Sequence, residues 1–455
     1  MSFISLNPFT GRELFRWPRL EAGELEAQLA RSAAAQPEWA ARPLMERLEI
    51  LERAGDLLEE RARPLAVRMA EEMGKPLSQG LAEARKCATV CRWLAGHAAR
   101  VLADRVVATE ARRSFVCQQP LGLVLAIMPW NFPLWQVVRA ALPALAAGNG
   151  VLLKHAPTTQ GCAEDLCALL REAGLPADLL PNLRLEPEAV AELIGDPRVA
   201  AVTLTGSTQA GRRVAELAGR HLKKCVLELG GSDPGVVLLD ADLELAAATL
   251  VASRMINNGQ SCIASKRFIA PLALRRDFEP LVLEKMRAHA LGDPLDEECR
   301  LGPLARADLR TGLDDQVRRS VAAGARLLCG GTIPAGPGHG YPASVLTDVA
   351  PGQPAFDEEL FGPVAALGWA HDETEALAWA ARSRYGLGAS VFTRDLERGE
   401  ALARAALPAG AVFVNALVRS DPRLPFGGIR DSGFGRELAD EGLREFVNCK
   451  SIYIA

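Results

Sequence analysis

A chain of 455 residues exceeds what one hydrophobic core organises, since single cores stop growing near roughly 250–300 residues, so two large domains are expected. With 49% hydrophobic and 24% charged residues it has the make-up of a globular protein, which excludes extended disorder. A net charge of −4, spread without long like-charge blocks, offers no footprint for nucleic acid or an anionic membrane, so a small-molecule partner is expected.

Residues 1–20 include Asn7, Pro8, Thr10, Gly11, Arg12 and Glu13 in place of the basic start and apolar core of a secretory signal. No uninterrupted apolar run reaches bilayer-spanning length, and a cytoplasmic location is expected. Up to about residue 111 the apolar positions recur at helical spacing, as in Leu25 and Leu29, then Leu51, Ala54 and Leu58. From Leu121 the pattern changes to short apolar runs at 121–128, 150–154, 199–205 and 224–229, which read as buried strands. Helices are predicted between them at 133–147, 158–173 and 207–219. This alternation implies a parallel, doubly wound sheet.

A second α/β unit is predicted from about Gly231, with strands at 236–239, 266–270, 389–393 and 411–415. The glycine- and proline-rich stretch 330–340 reads as a loop. The tail 448–454 has strand character but no sequence neighbour to pair with, so it is expected at an oligomer contact. The ten cysteines and six histidines are scattered, with no C-x-x-C and no metal-ligand spacing, so no metal is expected.

Four segments carry candidate chemistry. Cys262 closes Asn257-Asn258-Gly259-Gln260-Ser261-Cys262 and is followed by Lys266 and Arg267, whose charge would favour a thiolate. Taken alone it is one more buried cysteine. Glu228 ends an apolar strand before Leu229, Gly230 and Gly231, where a desolvated carboxylate could act as a base or simply end a strand. Asn131, in Pro129-Trp130-Asn131-Phe132-Pro133, could donate its amide to an oxyanion or cap a helix. Thr205-Gly206-Ser207-Thr208-Gln209-Ala210-Gly211 joins a strand to a helix whose N-terminus could hold a pyrophosphate.

Together with Asn7-Pro8-Phe9-Thr10-Gly11, Glu71-Glu72-Met73-Gly74-Lys75-Pro76, Glu358-Glu359-Leu360-Phe361-Gly362-Pro363 and Pro425-Phe426-Gly427-Gly428, these segments resemble the aldehyde dehydrogenase superfamily over essentially the whole chain. The resemblance implies an α/β fold with a Rossmann-type cofactor domain (1–105 and 121–229), an α/β catalytic domain (230–435) and a small β oligomerisation arm (106–120 and 436–455). It implies NAD(P)+-dependent oxidation of an aldehyde to a carboxylate through a cysteine thioester, in a homodimer or homotetramer. Carried over residue by residue, Cys262 is similar to the nucleophile, Glu228 to the base for the deacylating water, and Asn131 to an oxyanion donor. Lys154, Ser207, Glu359 and Phe361 resemble cofactor contacts, with Trp130, Gly206, Gly211 and Leu229 beside them.

The family's NAD-selective members carry a glutamate three residues after the strand-end lysine. Here Pro157 follows Lys154 at that spacing, so NADP is expected to be accepted alongside or ahead of NAD. Around Trp135 and Arg139 the chain resembles the shorter succinate-semialdehyde dehydrogenases. Trp135, Arg139 and Ser420 are therefore candidate substrate contacts, with Arg139 either clamping a distal carboxylate or forming a structural ion pair. Members with a redox-active pair carry a second cysteine two residues beyond the nucleophile, where this chain has Ala264. Other semialdehydes or aliphatic aldehydes stay open as substrates. Two other classes also stay open: a cysteine acyl hydrolase, which would need a histidine paired with Cys262, and a non-catalytic scaffold.

Overall fold

Two parallel sheets, built from the two stretches of alternating apolar and amphipathic sequence, organise the chain, seen in a computed structural model that describes residues 2–455. The first sheet runs in the order Gly433–Phe434, Lys224–Glu228, Val199–Thr205, Leu123–Met128 and Gly150–His155. Its four long strands are parallel, and Leu123 to Met128 pairs residue for residue with Gly150 to His155. These strands are buried on both faces, which is why they read as continuous apolar runs rather than alternating ones. Crossover helices Trp135–Ala146, Gln160–Glu172 and Thr208–Arg220 fall where the helical periodicity put them. The fifth strand, Gly433–Phe434, is antiparallel and comes from the range assigned to the catalytic unit, so it ties the two halves together beside Glu228.

The second sheet has seven strands, against four predicted. Asp233–Val237, Ser265–Pro271, Gly388–Phe392 and Ala411–Val414 match the expected runs. Val364–Ala370, Ser344–Thr347 and Arg326–Cys329 extend it. Val364–Ala370 was hidden by composition: three of its seven residues are alanine and one is glycine, which lowers its strand propensity, yet it pairs in parallel with Ser265–Pro271 at the centre. The segment 330–340 contains no helix or strand.

The N-terminal stretch is not wholly helical. Ser2–Leu6 and Glu13–Pro18 form an antiparallel hairpin before the helices Ala22–Ala41, Leu44–Glu60, Ala62–Met73 and Leu77–Leu102. The tail strand Val447–Ile454 pairs antiparallel with Arg113–Pro120 along its entire length, and Arg105–Val106 completes a three-stranded sheet. The two long strands fall in the segments 106–120 and 436–455 that the family resemblance groups as one arm. Among the described residues, no helix is long and apolar enough to cross a membrane, and no cluster of three His, Cys, Asp or Glu is arranged to hold a metal.

Candidate active site

Asn257 and Asn258 lie in the left-handed region at φ 55° and 57°, followed by Gly259 at φ 76°. Asparagine tolerates this backbone by local hydrogen bonding, and glycine is required at the third position, where a Cβ would stand 2.3 Å from the Gly362 carbonyl. The tight loop is fixed from both sides. Asn258 Nδ2 donates to the carbonyls of Gly74 (2.7 Å) and Pro303 (3.0 Å), and Gln260 Oε1 accepts from the Ala305 N–H (2.9 Å). Beyond it, the buried Lys266 Nζ donates to the carbonyls of Ser261 (2.8 Å) and Cys262 (2.6 Å) and lies 3.4 Å from Glu359. Cys262 is thus held by its backbone while its side chain stays partly exposed on a cleft of about 400 Å³.

Surrounding protein pushes the Cys262 thiol up to about 12 by desolvation, against the opposing pull of Lys266 and Arg139. It is therefore a neutral thiol at neutral pH in this form. Asn131 Nδ2 donates to the Gln260 carbonyl (3.0 Å), and Asn257 Nδ2 donates to the Asn131 carbonyl (2.6 Å). This ties the amide to the cysteine loop and leaves its second N–H available. Both Asn131 and Cys262 line the cleft.

Glu228 is buried, and neither carboxylate oxygen has a hydrogen-bond partner among the described residues. Burial holds its pKa well above the usual carboxylate range; Glu437 adds to the rise, while Arg139 and Arg436 oppose it. A Cβ on Gly427 would stand 2.7 Å from Glu228 Oε1, so glycine makes room for the carboxyl there. Leu229 and Gly230, the next two residues, do line the cleft.

Trp130 and Phe361 meet edge to face, with centroids 5.8 Å apart, and form the cleft's apolar wall. Glu359 Oε1 accepts from the Gly231 N–H (3.0 Å), and Gly230 is compelled because a Cβ would come 2.4 Å from Glu359 Oε2. Thr205 and Gly206 lead to Ser207, the N-cap of Thr208–Arg220, whose hydroxyl accepts from the Ala210 N–H (3.2 Å). Ser207 lines both this cleft and an adjoining cavity of about 650 Å³, walled by Ile127, Val190, Leu204 and Val214, with Lys154, Arg213, Gln209 and one acid, Glu188, at its other polar positions. An apolar slot, a helix N-terminus and two cations in sequence fit a flat base joined to phosphates. Arg213 was not singled out from sequence. Pro157 is exposed at the start of the single turn Pro157–Thr159 that follows Lys154's strand.

Two cofactor candidates, Gly211 and Pro157, line neither cavity. Gly211 lies inside the helix, where a Cβ would strike Leu229 at 2.5 Å, and it permits close helix-strand packing. Arg139, open between a carboxylate clamp and a structural ion pair, is buried in an ion pair with Glu437, and its guanidinium lies over the Phe426 ring at 4.6 Å. Its charge is therefore already engaged. Trp135 and Ser420 do come together, through a residue that sequence reading passed over: Lys86 Nζ sits 3.9 Å from the Trp135 ring centroid and donates to Ser420 Oγ at 2.7 Å. Lys86 lies in a helix that periodicity showed only as a wall, and no motif marks it.

A histidine base for Cys262 is absent among the hydrogen bonds of the described residues. The buried His155 is engaged with the Pro133 carbonyl (3.0 Å) and Thr159 (3.1 Å), and burial lowers its pKa to about 4.

The aldehyde dehydrogenase family matches residues 1–452. The chain is 46% identical over 450 residues to the Escherichia coli succinate semialdehyde dehydrogenase [NAD(P)+] Sad, covering 99% of this chain and 97% of that protein. It is 45% identical over 456 residues to a probable succinate-semialdehyde dehydrogenase [NADP(+)] of Synechocystis sp., with 100% of both chains covered. Among solved structures, succinic semialdehyde dehydrogenase from Streptococcus pyogenes in complex with NADP+ superposes with TM-score 0.97 at 34% identity over 99% of each chain. Gox0499 superposes with TM-score 0.98 at 38% identity over the whole of both. With its cysteine loop, buried glutamate and paired cavities arranged on this fold, the chain belongs to the aldehyde dehydrogenase family.

Proposed function

We propose that this chain oxidises succinate semialdehyde to succinate with NADP+, and with NAD+ less efficiently, through a thioester on Cys262. The observation that carries the chemistry is the partly exposed Cys262 lining the same cleft as Asn131, a cleft that shares Ser207 with a cavity bearing Lys154 and Arg213. The substrate is supported by the relatives at 45–46% identity whose names state it; the name of the Escherichia coli relative gives NAD(P)+ and that of the Synechocystis relative gives NADP(+). The neutral Pro157 is consistent with NADP+, since a carboxylate there would repel a 2′-phosphate.

The dinucleotide, when bound, supplies the two-electron acceptor that no side chain provides. The chain's own residues do the rest. Cys262 loses its proton to solvent water in the cleft, and its sulfur bonds to the aldehyde carbon as the carbonyl π bond breaks, placing negative charge on the carbonyl oxygen. The Cys262 N–H and the second Asn131 N–H stabilise that oxygen. Once the carbon is at the acyl level, Glu228 takes a proton from water, the water oxygen bonds to that carbon, and the carbon–sulfur bond breaks to release the acid. Glu228 needs to turn from Gly427 toward the cleft for this step. Lys154 would hold the adenosine ribose, Ser207 and Arg213 phosphates, and Glu359 the nicotinamide ribose, while Trp130, Gly206, Leu229 and Phe361 would form walls.

Rapid-quench kinetics test the scheme. Cys262→Ala should abolish aldehyde-dependent nicotinamide reduction, whereas Glu228→Gln should give one rapid turnover per site and then stall with a labelled acyl group on Cys262. An adduct on another side chain, or steady turnover by the alanine variant, refutes it. The reading includes assembly into dimers or tetramers through the open edge of Val447–Ile454, where Tyr453 and Ile454 are exposed; light scattering of the intact protein measures the mass.

A further inference from the structure

Buried cations in this protein have either a carboxylate partner, as Lys75 has Glu83, Lys266 Glu359 and Arg139 Glu437, or backbone carbonyls, as have Arg47, Arg254 and Arg267. Lys86 breaks the pattern. No carboxylate among the described residues lies within 4.0 Å of its nitrogen, which is held by a neutral hydroxyl and an indole face. Ser420 is buried and Trp135 almost completely so, while Lys86 remains partly open to solvent. An ammonium set between an aromatic face and a hydroxyl, with donors left over, lacks an anion.

The cluster is close to the reacting atom. Gln136, the residue after Trp135, lines the same cleft as Cys262, and Cys262 packs against the core cluster that contains Trp135 and Phe426. We propose that Lys86, oriented by Ser420 and Trp135, is the cation that binds the distal carboxylate of the substrate and so sets the preference for semialdehydes of short dicarboxylic acids.

Arg139 does not compete for this task, because Glu437 already neutralises it. Burial lowers the Lys86 pKa to about 8, and the Arg139 charge acts in the same direction, so the ammonium is still the main form near neutral pH. An arriving carboxylate would supply the missing counter-charge and accept a charge-assisted hydrogen bond. Ser420, which accepts from Lys86, has its own hydroxyl hydrogen to donate to the same group.

This inference rests on the succinate-semialdehyde reading, and the experiment separates the two. Steady-state kinetics of wild type, Lys86→Met, Lys86→Arg and Ser420→Ala are measured with succinate semialdehyde and with butanal, an uncharged four-carbon aldehyde, at saturating NADP+. Thermal unfolding and NADP+ binding are recorded for each variant. Lys86→Met should lose roughly 10- to 100-fold in kcat/KM on the semialdehyde, mostly through KM, with a loss on butanal at least tenfold smaller. Lys86→Arg should recover part of the loss, and Ser420→Ala should show a smaller loss with the same selectivity. Should Lys86→Met not fold, Lys86→Gln carries the same comparison. Equal losses on both aldehydes would make Lys86 structural and overturn the proposal. Undiminished semialdehyde preference in Lys86→Met would overturn it while sparing the substrate reading. A wild-type enzyme that treats both aldehydes alike would remove both.

Discussion

Lys266 is the residue through which the cysteine loop, the cofactor-side carboxylate and the second sheet are joined, and its replacement by methionine should expose that dependence. Its ammonium is fully buried, donates to the carbonyls of Ser261 and Cys262, and stands 3.4 Å from Glu359. Methionine fills similar volume but leaves both carbonyls without this donor and Glu359 with the Gly231 N–H alone. Hydrogen bonds to a charged group contribute about 1.5–3 kcal/mol each, and the desolvation of the ammonium, no longer required, offsets part of the loss. A net destabilisation of about 3–5 kcal/mol is expected, the range for breaking a buried pair by removing one partner. Lys266 is also the largest influence lowering the Cys262 pKa against burial, so its removal drives the thiol further from ionisation. Denaturant unfolding measures the first effect, and the iodoacetamide alkylation rate across a pH series measures the second. In wild type the alkylation rate should climb about tenfold per pH unit through the alkaline range, because the thiol is pushed up to about 12. The variant should be slower at every pH and should lose about 100-fold in kcat/KM through misplacement of the sulfur. A variant alkylated as fast as wild type, with kcat/KM within about threefold, would refute the claim that Lys266 sets the nucleophile.

Glu228→Gln should be inactive in turnover yet more stable than wild type at alkaline pH. The folded-state pKa of Glu228 is raised, so the native protein binds more protons than the unfolded chain between the two pKa values, and wild type loses stability as pH rises through that window. The amide escapes that penalty; a stability difference independent of pH would contradict it. Gly230→Ala should raise the KM for the cofactor about tenfold or more by displacing Glu359, which kinetics at saturating aldehyde would measure. Pro157→Glu should lower kcat/KM for NADP+ by about 10- to 100-fold while largely sparing NAD+, since it puts negative charge near the Lys154 strand end; an unchanged cofactor ratio would dismiss the Pro157 argument.

Much of this was legible in sequence because it is local. Strands such as Val199–Thr205 announce themselves by continuous apolar burial, and the loop from Asn257 to Cys262 by residues that accept a left-handed backbone. What escaped is non-local. The pairing of Gly433–Phe434 with Lys224–Glu228 joins segments that share no sequence neighbourhood, whereas that of Val447–Ile454 with Arg113–Pro120 was reached only through the family resemblance. Arg139 illustrates the same limit at the site: helical spacing from Trp135 correctly put it near the chemistry, but its partner Glu437 lies almost three hundred residues on, so nothing local showed that its charge was engaged.

The position of Arg139 also changes what the residue is for. Its charge opposes burial at both Glu228 and Cys262, lowering the pKa of each, while Glu437 works the other way on Glu228. A fully free arginine there would favour a permanently ionised glutamate; a paired one leaves Glu228 protonated in its resting place against Gly427 and able to ionise on leaving it. Burial is the largest cause of the raised Glu228 pKa, and the Glu437 charge offsets part of the opposing Arg139 charge. Glu437→Gln tests this reasoning: it leaves Arg139 unbalanced, lowers the Glu228 pKa, and should move the acid limb of the deacylation rate to lower pH, whereas an unmoved limb would mean that burial alone governs the base.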